Sequence, residues 1–362
     1  MSHAKITRVA WLVMLLLLGR VTMAGDFSIK FSQDTRVDDG PDSPNIVVRF
    51  LPEYFGQAGQ FGNGLLDVDV AADLYFNLKT GTQSIQSPLD ELLYRSWLRW
   101  STSQLEIRLG KQELNFGPGR ILRSLRWFDA RDPLDPLSLT QGVWALTGRY
   151  YWLDNKNLWL WTIFNPRDLV MGIDLYPAEK RTFQQGGRFQ IPQGSGNLAV
   201  TIHEKVLEGS DEPEWRIGLD GQWDVGVGIW FEAVRIVEPA SQGIDWMNLI
   251  TLGSDYTFGI GNGLYAVAEY QYLQSPNLNE SVQTMVTQVN YPLGLMDQVF
   301  ILALYNNTLH FSAYYTGWQR QYDRLSWQIL AGYIDKKLTG VAMTPIAFIG
   351  QKSLQVTLMY TI

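Results

Sequence analysis

The chain of 362 residues has no cysteine and only three histidines. Without thiols it can form no disulfide framework, thiolate metal site or cysteine nucleophile. Beyond its N-terminal segment it also lacks any run of about 18 consecutive apolar residues, which excludes a bundle of transmembrane helices. Basic residues number 29 against 36 acidic residues, and this balance argues against a nucleic-acid partner.

The first 24 residues have the pattern of an export signal. Lys5 and Arg8 precede an apolar stretch from Val9 to Leu18, and Thr22-Met23-Ala24 provides a cleavage site. The alternative, a membrane anchor, requires about 20 apolar residues, more than this stretch contains. We therefore expect residues 1–24 to be a signal peptide and residues 25–362 to form a single domain.

Alternation with a period of two residues dominates the rest of the chain. Between Leu65 and Leu78 the even-numbered positions are apolar, whereas Asp67, Asp69 and Asp73 occupy the opposite face. A helix cannot separate residues in this way, because its period is 3.6. Further alternating runs occur at Trp215–Trp223, Leu264–Tyr272, Leu325–Tyr333 and Leu354–Ile362. A tilted membrane strand needs about 9–11 residues, whereas globular strands average about five or six.

These runs predict an all-β fold, a transmembrane antiparallel β-barrel of about 18 strands, with 14 or 16 as alternatives. A soluble sandwich is the competing fold, but it predicts shorter strands. The first predicted strands lie near residues 27–36, 44–54, 65–78, 90–101, 104–113 and 140–152. Short turns alternate with long links between them, which places both termini at the periplasmic end. We expect Ser281–Tyr291 to be a loop, because counting it as a strand would make the total odd.

Aromatic residues lie near the ends of the predicted strands, which is typical of the two girdles at the bilayer interfaces. They are Tyr94, Trp100, Trp144, Trp152, Trp215, Trp223 and Tyr360. Trp97 and Tyr75 instead fall on the predicted lumen face and are the better candidates for contact with a solute.

The segment after the fifth predicted strand is the third long extracellular loop. Alternation stops at Phe116-Gly117-Pro118-Gly119, where proline removes a hydrogen-bond donor and glycine permits unusual dihedral angles. A structureless link of this length is usually functional, and inside a barrel it can fold inward and narrow the lumen.

This segment is basic within an acidic chain. From Arg108 to Arg131 there are six basic residues against two acidic ones, Glu113 and Asp129. Arg120, Arg123 and Arg126 recur every third residue, which predicts one face of a short helix or 3₁₀ turn. The predicted lumen-facing residues that accompany them are Arg95, Arg99, Arg108 and Arg149, together with Asp67, Asp69 and Asp73.

Two interpretations of the arginines remain open, and they can coexist. In the first, a ring of guanidinium groups lines a constriction and favours anions, because guanidinium binds carboxylate and phosphate in a forked geometry. In the second, Arg95, Arg99 and Arg108 pair with Asp67, Asp69 and Asp73 on neighbouring strands. The segment from Arg120 to Arg131 would then contact lipopolysaccharide phosphates or nearby aspartates.

The run LGKQELNFG from Leu109 to Gly117 is followed by Gly119-Arg120 and by Trp127-Phe128-Asp129. Over this segment the chain resembles the alginate-export-type group of outer-membrane barrels. The resemblance implies an 18-stranded porin-like barrel that passes anionic polysaccharide through an arginine-lined lumen, with Arg108, Arg120 and Arg123 as lumen residues. The chain departs from the group at its last residue, Ile362, where an aromatic residue is typical.

Catalytic residues are scarce. His310-Phe311-Ser312 is similar to the His-x-Ser motif of outer-membrane lipid A deacylases, with both side chains predicted to face the lumen. Those enzymes also need an orienting acid, usually Glu, and no Glu follows Glu280. His203 has no partner at metal-ligand spacing. We therefore predict no enzyme activity, no metal and no cofactor.

The sequence thus predicts a porin-like channel that passes small anionic solutes or polysaccharide passively through an arginine-lined constriction. The alternative is a non-conducting barrel that acts in envelope assembly or surface-glycan attachment and is sealed by salt bridges. The expected partners are outer-membrane lipid, lipopolysaccharide and the anionic solute. The oligomeric state is left open.

Overall fold

The computed structural model describes most of the chain from Gly25 onward. The described residues are 25–39, 43–79, 82–85, 93–129, 134–135, 137, 139–165, 172–174, 176–210, 212–239, 246–276, 278, 280–335 and 351–362. The predicted signal peptide lies outside them. Among these residues, no helix has the length and apolar character needed to cross a membrane.

Twenty β-segments of the described residues, all paired antiparallel, make up one sheet. They are β1 Gly25–Asp38, β2 Asn45–Phe61, β3 Gly64–Ala72, β4 Leu74–Lys79, β5 Thr82–Ile85, β6 Leu93–Ser101, β7 Leu105–Gln112, β8 Val143–Tyr151, β9 Asn157–Asn165, β10 Thr182–Gln193, β11 Gly196–Val206, β12 Pro213–Asp224, β13 Gly228–Val237, β14 Trp246–Phe258, β15 Leu264–Gln274, β16 Val282–Pro292, β17 Asp297–Asn306, β18 Phe311–Gln321, β19 Leu325–Ile334 and β20 Lys352–Thr361.

The sheet closes on itself because β1 pairs with both β2 and β20. Segments β3 and β4 both pair with β2, so they are two parts of one interrupted strand. Segments β6 and β5 pair with β3 and β4 in turn, so they form the next strand. The barrel therefore has 18 strands, as the sequence predicts.

The two ends of the barrel differ in the length of their links. One end, called here the turn end, holds short links such as Gly62–Asn63 and Gly194–Ser195. The start of β1 and the end of β20 also lie at the turn end. The other, the loop end, holds the longest links, 113–142, 166–181 and 335–351. This alternation and the place of 113–142 as the third loop-end link confirm the predicted arrangement.

One strand lies where the sequence predicts a loop. The stretch Ser281–Tyr291, expected to be a loop, is instead covered by β16, which pairs with β15 and β17. The expectation was wrong because it rested on the parity of the strand count rather than on the pattern of the segment itself. Short links flank β16, 275–281 at the loop end and 293–296 at the turn end, so it is an ordinary member of the barrel.

Side chains alternate between an apolar outer face and a polar or tightly packed inner face. On β14, Ile250 and Leu252 are exposed outward, whereas Leu249 and Thr251 are buried inside. The outer face matches what contact with lipid acyl chains requires. Tyr94, expected in an interfacial girdle, is buried on the inner face, where its hydroxyl donates to Glu53.

The third loop-end link folds into the barrel. Phe116, Leu125, Trp127 and Phe128 pack against inward-facing residues of β8, β9, β13, β14 and β15. Ile121, Leu122 and Leu134 pack against residues of β13 and β15–β19. Farther along, Leu137 and Leu139 contact Leu51, Ala71 and Tyr94 on the opposite wall. We call the described part of 113–142 the inward loop, because it crosses the lumen from one wall to the other.

The outer face yields a testable prediction. Leu252→Arg places a charge in the middle of β14 and is expected to cost about 2–4 kcal/mol of unfolding free energy in a bilayer. Val225→Arg, in the exposed turn between β12 and β13, is the control and is expected to cost at most about 1 kcal/mol. Urea unfolding in phospholipid vesicles measures both. Equal losses would contradict a lipid-facing surface at Leu252.

Candidate functional site

A cluster of arginines lies on the lumen face of β6, β7 and β8, toward the turn end. Arg95 Nε donates to Asp69 at 3.0 Å, and Arg99 Nη2 contacts Asp67 at 2.7 Å. The register explains these contacts, because Asp67 and Arg99 are directly opposite each other on β3 and β6. Two of the ion pairs considered in the structural interpretation of the arginines are therefore present.

Glu106 on β7 is the centre of this cluster. Its carboxylate is 3.0 Å from Arg108 Nη2, 3.6 Å from Arg99 Nη1 and 3.9 Å from Arg149 Nη1. Glu106 lies opposite Arg149 on β8, and Arg99 lies opposite Arg108. Three guanidinium groups at neighbouring paired positions of the sheet therefore share one carboxylate.

Two tryptophans support the guanidinium groups. Arg108 lies over the Trp97 ring at 4.4 Å, and Arg149 lies over Trp159 at 3.9 Å from the ring centroid. Such stacking holds a cation without consuming its hydrogen-bond donors. Within the described residues, the buried Nε atoms of Arg108 and Arg149 have no hydrogen-bond partner. The side chains of Arg108 and Arg149 are each 15% exposed, so part of each remains accessible to an anion in the lumen.

The three arginines of the inward loop do not share a face. Residues 120–126 form bends and a turn rather than a helix. The Arg120 side chain is 54% exposed, lies over Trp230 and is 3.9 Å from Asp255. Arg123 is bound to Asp129 and Asn115, and Arg126 donates to Gly172. The predicted helical face was wrong because side chains of the wall, rather than i→i+3 contacts, determine this conformation.

Asp73 also has a different partner from the one considered. Its carboxylate accepts from Arg49 on β2, with Nε at 3.1 Å, and Arg49 is 3.9 Å from Asp135 of the inward loop. Arg108, which was paired with an aspartate in that interpretation, contacts Glu106 instead. The sequence identified the inward-facing charges correctly, but strand register decides which of them meet.

A cavity of about 230 Å³ remains between the inward loop and the wall formed by β1, β2 and β18–β20. Its polar lining comes from Asp34, Arg36, Arg49, Gln355 and Thr357, and Asp135 of the loop faces them. Both signs of charge are therefore present at this opening. This cavity is a part of the lumen, in the half of the barrel near the loop end, that the inward loop does not fill.

At the loop end, a second charged cluster is almost fully buried. Arg216 donates to Glu214 at 2.6 Å and also binds Asp174, and Lys205 is 2.9 Å from Asp174. Burial opposes the charge on Asp174, but Lys205 and Arg216 outweigh it and lower the pKa of this carboxyl below its usual value. This cluster joins the link 166–181 to the wall.

The catalytic alternative does not match the inner face. Phe311 on β18 points inward, and the neighbouring Ser312 is on the opposite face. His310 lies in the turn before the strand. The predicted lumen orientation of this pair was therefore wrong. Among the described residues, no group of three or more His, Asp or Glu side chains is arranged to hold a metal ion.

Comparisons with known proteins relate the fold to porins. No protein-family model and no curated protein matches the chain. Among solved structures, Pseudomonas aeruginosa OccD3 (OpdP) has a TM-score of 0.63 at 10% identity, over 94% of this chain and 91% of that one. Acinetobacter baumannii OccAB1 has a TM-score of 0.60 at 10% identity, over 94% and 97%. A BenF-like porin from Pseudomonas fluorescens Pf-5 has a TM-score of 0.59 at 11% identity, over 94% and 98%.

The chain therefore has the fold of a transmembrane porin-like β-barrel. The coarser part of the expected resemblance, a porin-like barrel, is confirmed by these structures. The narrower likeness to alginate exporters receives no support from them.

The loop-end cluster generates a prediction about pH. Burial raises the pKa of Glu238 to about 8, and the adjacent carboxylate of Glu214 adds to the effect. The folded protein therefore holds a proton on Glu238 that the unfolded chain releases at lower pH, so stability is expected to fall as pH rises from about 5 to 8. Glu238→Gln should flatten this decline in the thermal unfolding midpoint. Glu212→Gln, at an exposed site of a neighbouring link, is the control. Parallel pH profiles for wild type and Glu238→Gln would contradict the assignment.

Proposed function

We propose that the protein is an outer-membrane channel of the porin type that passes small anionic solutes passively. The observation that carries the proposal is the sharing of Glu106 by Arg99, Arg108 and Arg149. With Asp67 counted as well, three positive charges face two negative ones, so this part of the lumen carries an excess of positive charge. Rings of basic side chains in a pore favour anions.

Passage rather than tight binding suits this arrangement. Each guanidinium already has a carboxylate within about 4 Å or an aromatic ring beneath it, so an arriving anion gains only part of its attraction. Weak attraction allows the solute to leave again. The inward loop crosses the lumen, and the cavity of about 230 Å³ beside it suits small solutes better than a polysaccharide chain.

The outer surface supports the proposed location. Large apolar side chains such as Leu160, Leu252 and Ile301 are exposed on it. Contact with lipid removes the free-energy cost of exposing these side chains to water. We propose outer-membrane lipid and lipopolysaccharide as the surroundings of the barrel. The names of the similar structures, which include porins, agree with this location.

A second candidate is a non-conducting barrel that acts in envelope assembly or glycan attachment. It is favoured by the close interlocking of two loop-end links: Ile173 donates from its backbone to Arg126 at 3.1 Å, and its side chain packs on the buried cluster around Trp127. A lumen packed in this way on one side could be closed. The partial exposure of the Arg108 and Arg149 side chains favours the channel, because a sealed lumen would bury them.

Single-channel recording tests the proposal. Wild-type protein in a planar bilayer under a salt gradient is expected to show discrete, anion-selective steps. Arg108→Gln combined with Arg149→Gln should reduce the anion-to-cation permeability ratio roughly two- to fivefold, as expected when about 0.5–1 kcal/mol of solvent-exposed attraction is lost.

The matched control changes an arginine on the outer face. Arg235 is exposed, contacts Asn248 at 3.2 Å and lies over Trp246, so Arg235→Gln is expected to leave selectivity unchanged. Cation-selective steps from wild type would contradict the arginine cluster as the selecting element. A folded barrel without any steps would favour the sealed alternative.

A further inference from the structure

Two carboxylates of the wall contact the backbone of the inward loop. Glu232 on β13 and Glu269 on β15 point into the lumen, and their exposed fractions are 0% and 2%. Within the part of the chain that the structure describes, neither forms an ion pair with a lysine or arginine. A buried carboxylate without a cation is costly unless hydrogen-bond donors surround it.

Those donors come from consecutive residues of the loop. Glu269 accepts from the backbone N–H groups of Arg120, Ile121 and Leu122 at 2.6, 2.8 and 2.5 Å. It also accepts from Trp230 Nε1 at 3.0 Å. Both oxygens of the carboxylate are therefore used, and three amides of an irregular segment obtain acceptors that no neighbouring strand provides.

Glu232 binds the same segment from a second strand. It accepts from the backbone N–H groups of Gly119 at 2.8 Å and Leu125 at 2.9 Å. A Cβ at Gly117 would lie 2.4 Å from Glu232 Oε1, and one at Gly119 would lie 2.9 Å from it. Gly117 also has a φ of 91°. Glycine at positions 117 and 119 is therefore required for the close approach of the loop to this carboxylate.

The position of Arg120 depends on these contacts. Its backbone N–H is held by Glu269, and its side chain reaches past Trp230 toward Asp255 at 3.9 Å. Apolar packing of Ile121 and Leu122 cannot specify the orientation of the loop backbone, because dispersion contacts are not directional. Carboxylate–amide hydrogen bonds are directional and stronger than neutral ones.

We propose that Glu232 and Glu269 are positioning residues that hold the inward loop across the lumen and place the Arg120 guanidinium on the solute path. The part concerning Arg120 rests on the proposed channel function. The part concerning the loop does not, and it is tested by a measurement that requires no conduction.

The loop test uses a single thiol in this cysteine-free chain. Ser124 is fully buried, with its hydroxyl 2.8 Å from that of Thr251, so Ser124→Cys should react slowly with a maleimide in the folded protein. Adding Glu269→Gln, which replaces an acceptor oxygen by a donor, is expected to increase the labelling rate about tenfold or more. Glu232→Gln should act in the same direction.

Two controls accompany the labelling. Glu53→Gln changes an inward-facing acid of β2 that contacts Lys30 and Tyr94 rather than the loop segment, so it should leave labelling of Ser124→Cys slow. Leu153→Cys in the turn between β8 and β9 is 92% exposed and should react rapidly in every background. Heat-modifiable migration on gels verifies that each variant is a folded barrel. If a folded Glu269→Gln variant labels as slowly as wild type, the proposal is overturned.

Chemical rescue tests the need for a carboxylate. Glu269→Ala leaves the amides of residues 120–122 and the Trp230 indole N–H directed at an empty volume. Acetate is expected to slow the labelling of Ser124→Cys in this variant, whereas acetamide, which is neutral and similar in size, should not. Equal effects of acetate and acetamide would overturn the requirement for a negative charge.

Recordings in the planar bilayer then test the role of Arg120. Arg120→Ala and Glu269→Gln should reduce anion selectivity by similar factors, and the double variant should add little to either. If Glu269→Gln frees the loop but keeps wild-type selectivity, the placement of Arg120 is overturned. If wild type conducts nothing, the channel function fails while the labelling result still decides the role of the two glutamates.

Discussion

Closure of the sheet between β1 and β20 is the constraint on which the rest of this molecule depends. In a closed barrel every second side chain points into a confined lumen, and its polar groups must find partners there. The inward arginines consequently meet acids on neighbouring strands, as Arg99 meets Asp67. The same constraint applies to the inward loop, whose free backbone amides bind Glu232 and Glu269. The lumen is therefore organised by the satisfaction of polar groups.

The lumen has two regions of different physical character. Toward the loop end on one side, Phe116, Trp127 and Trp161 pack like the core of a soluble protein, and His203 is enclosed among them. Toward the turn end, charged side chains predominate and aromatic rings serve as supports for guanidinium groups. The apolar region fills one side of the lumen, and the charged region lines the other. Both regions are built from the same inward-facing alternation.

The fold was largely predictable from the sequence, whereas the site was only partly so. Period-two alternation is a local property, so the inward positions of Asp67, Arg99 and Arg149 follow from parity within each strand. Partners depend on register between strands, and this is why Arg108 contacts Glu106 rather than an aspartate. The conformation of residues 119–125 depends on acids more than a hundred positions away, so no local pattern could reveal it. The strand Val282–Pro292 was missed because a count, rather than the pattern of the segment itself, was used to assign it.

The difference between saturated and unsaturated arginines bears on whether the barrel conducts. Arg188 is bound to Asp220 through two donors at 2.6 and 2.8 Å and also to Thr201, so its charge is fully used within the wall. An arginine that only holds the wall together is expected to be paired in this way, because a buried donor without a partner is costly. Arg149 differs: among the described residues its acid contact is Glu106 at 3.9 Å, its guanidinium rests on Trp159, and 15% of its side chain is exposed, against 4% for Arg188. The charge of Arg149 is therefore neutralised less completely than that of Arg188, and part of its side chain is accessible from the lumen. The contrast between Arg188 and Arg149 thus supports the proposed channel over the alternative of a closed structural barrel.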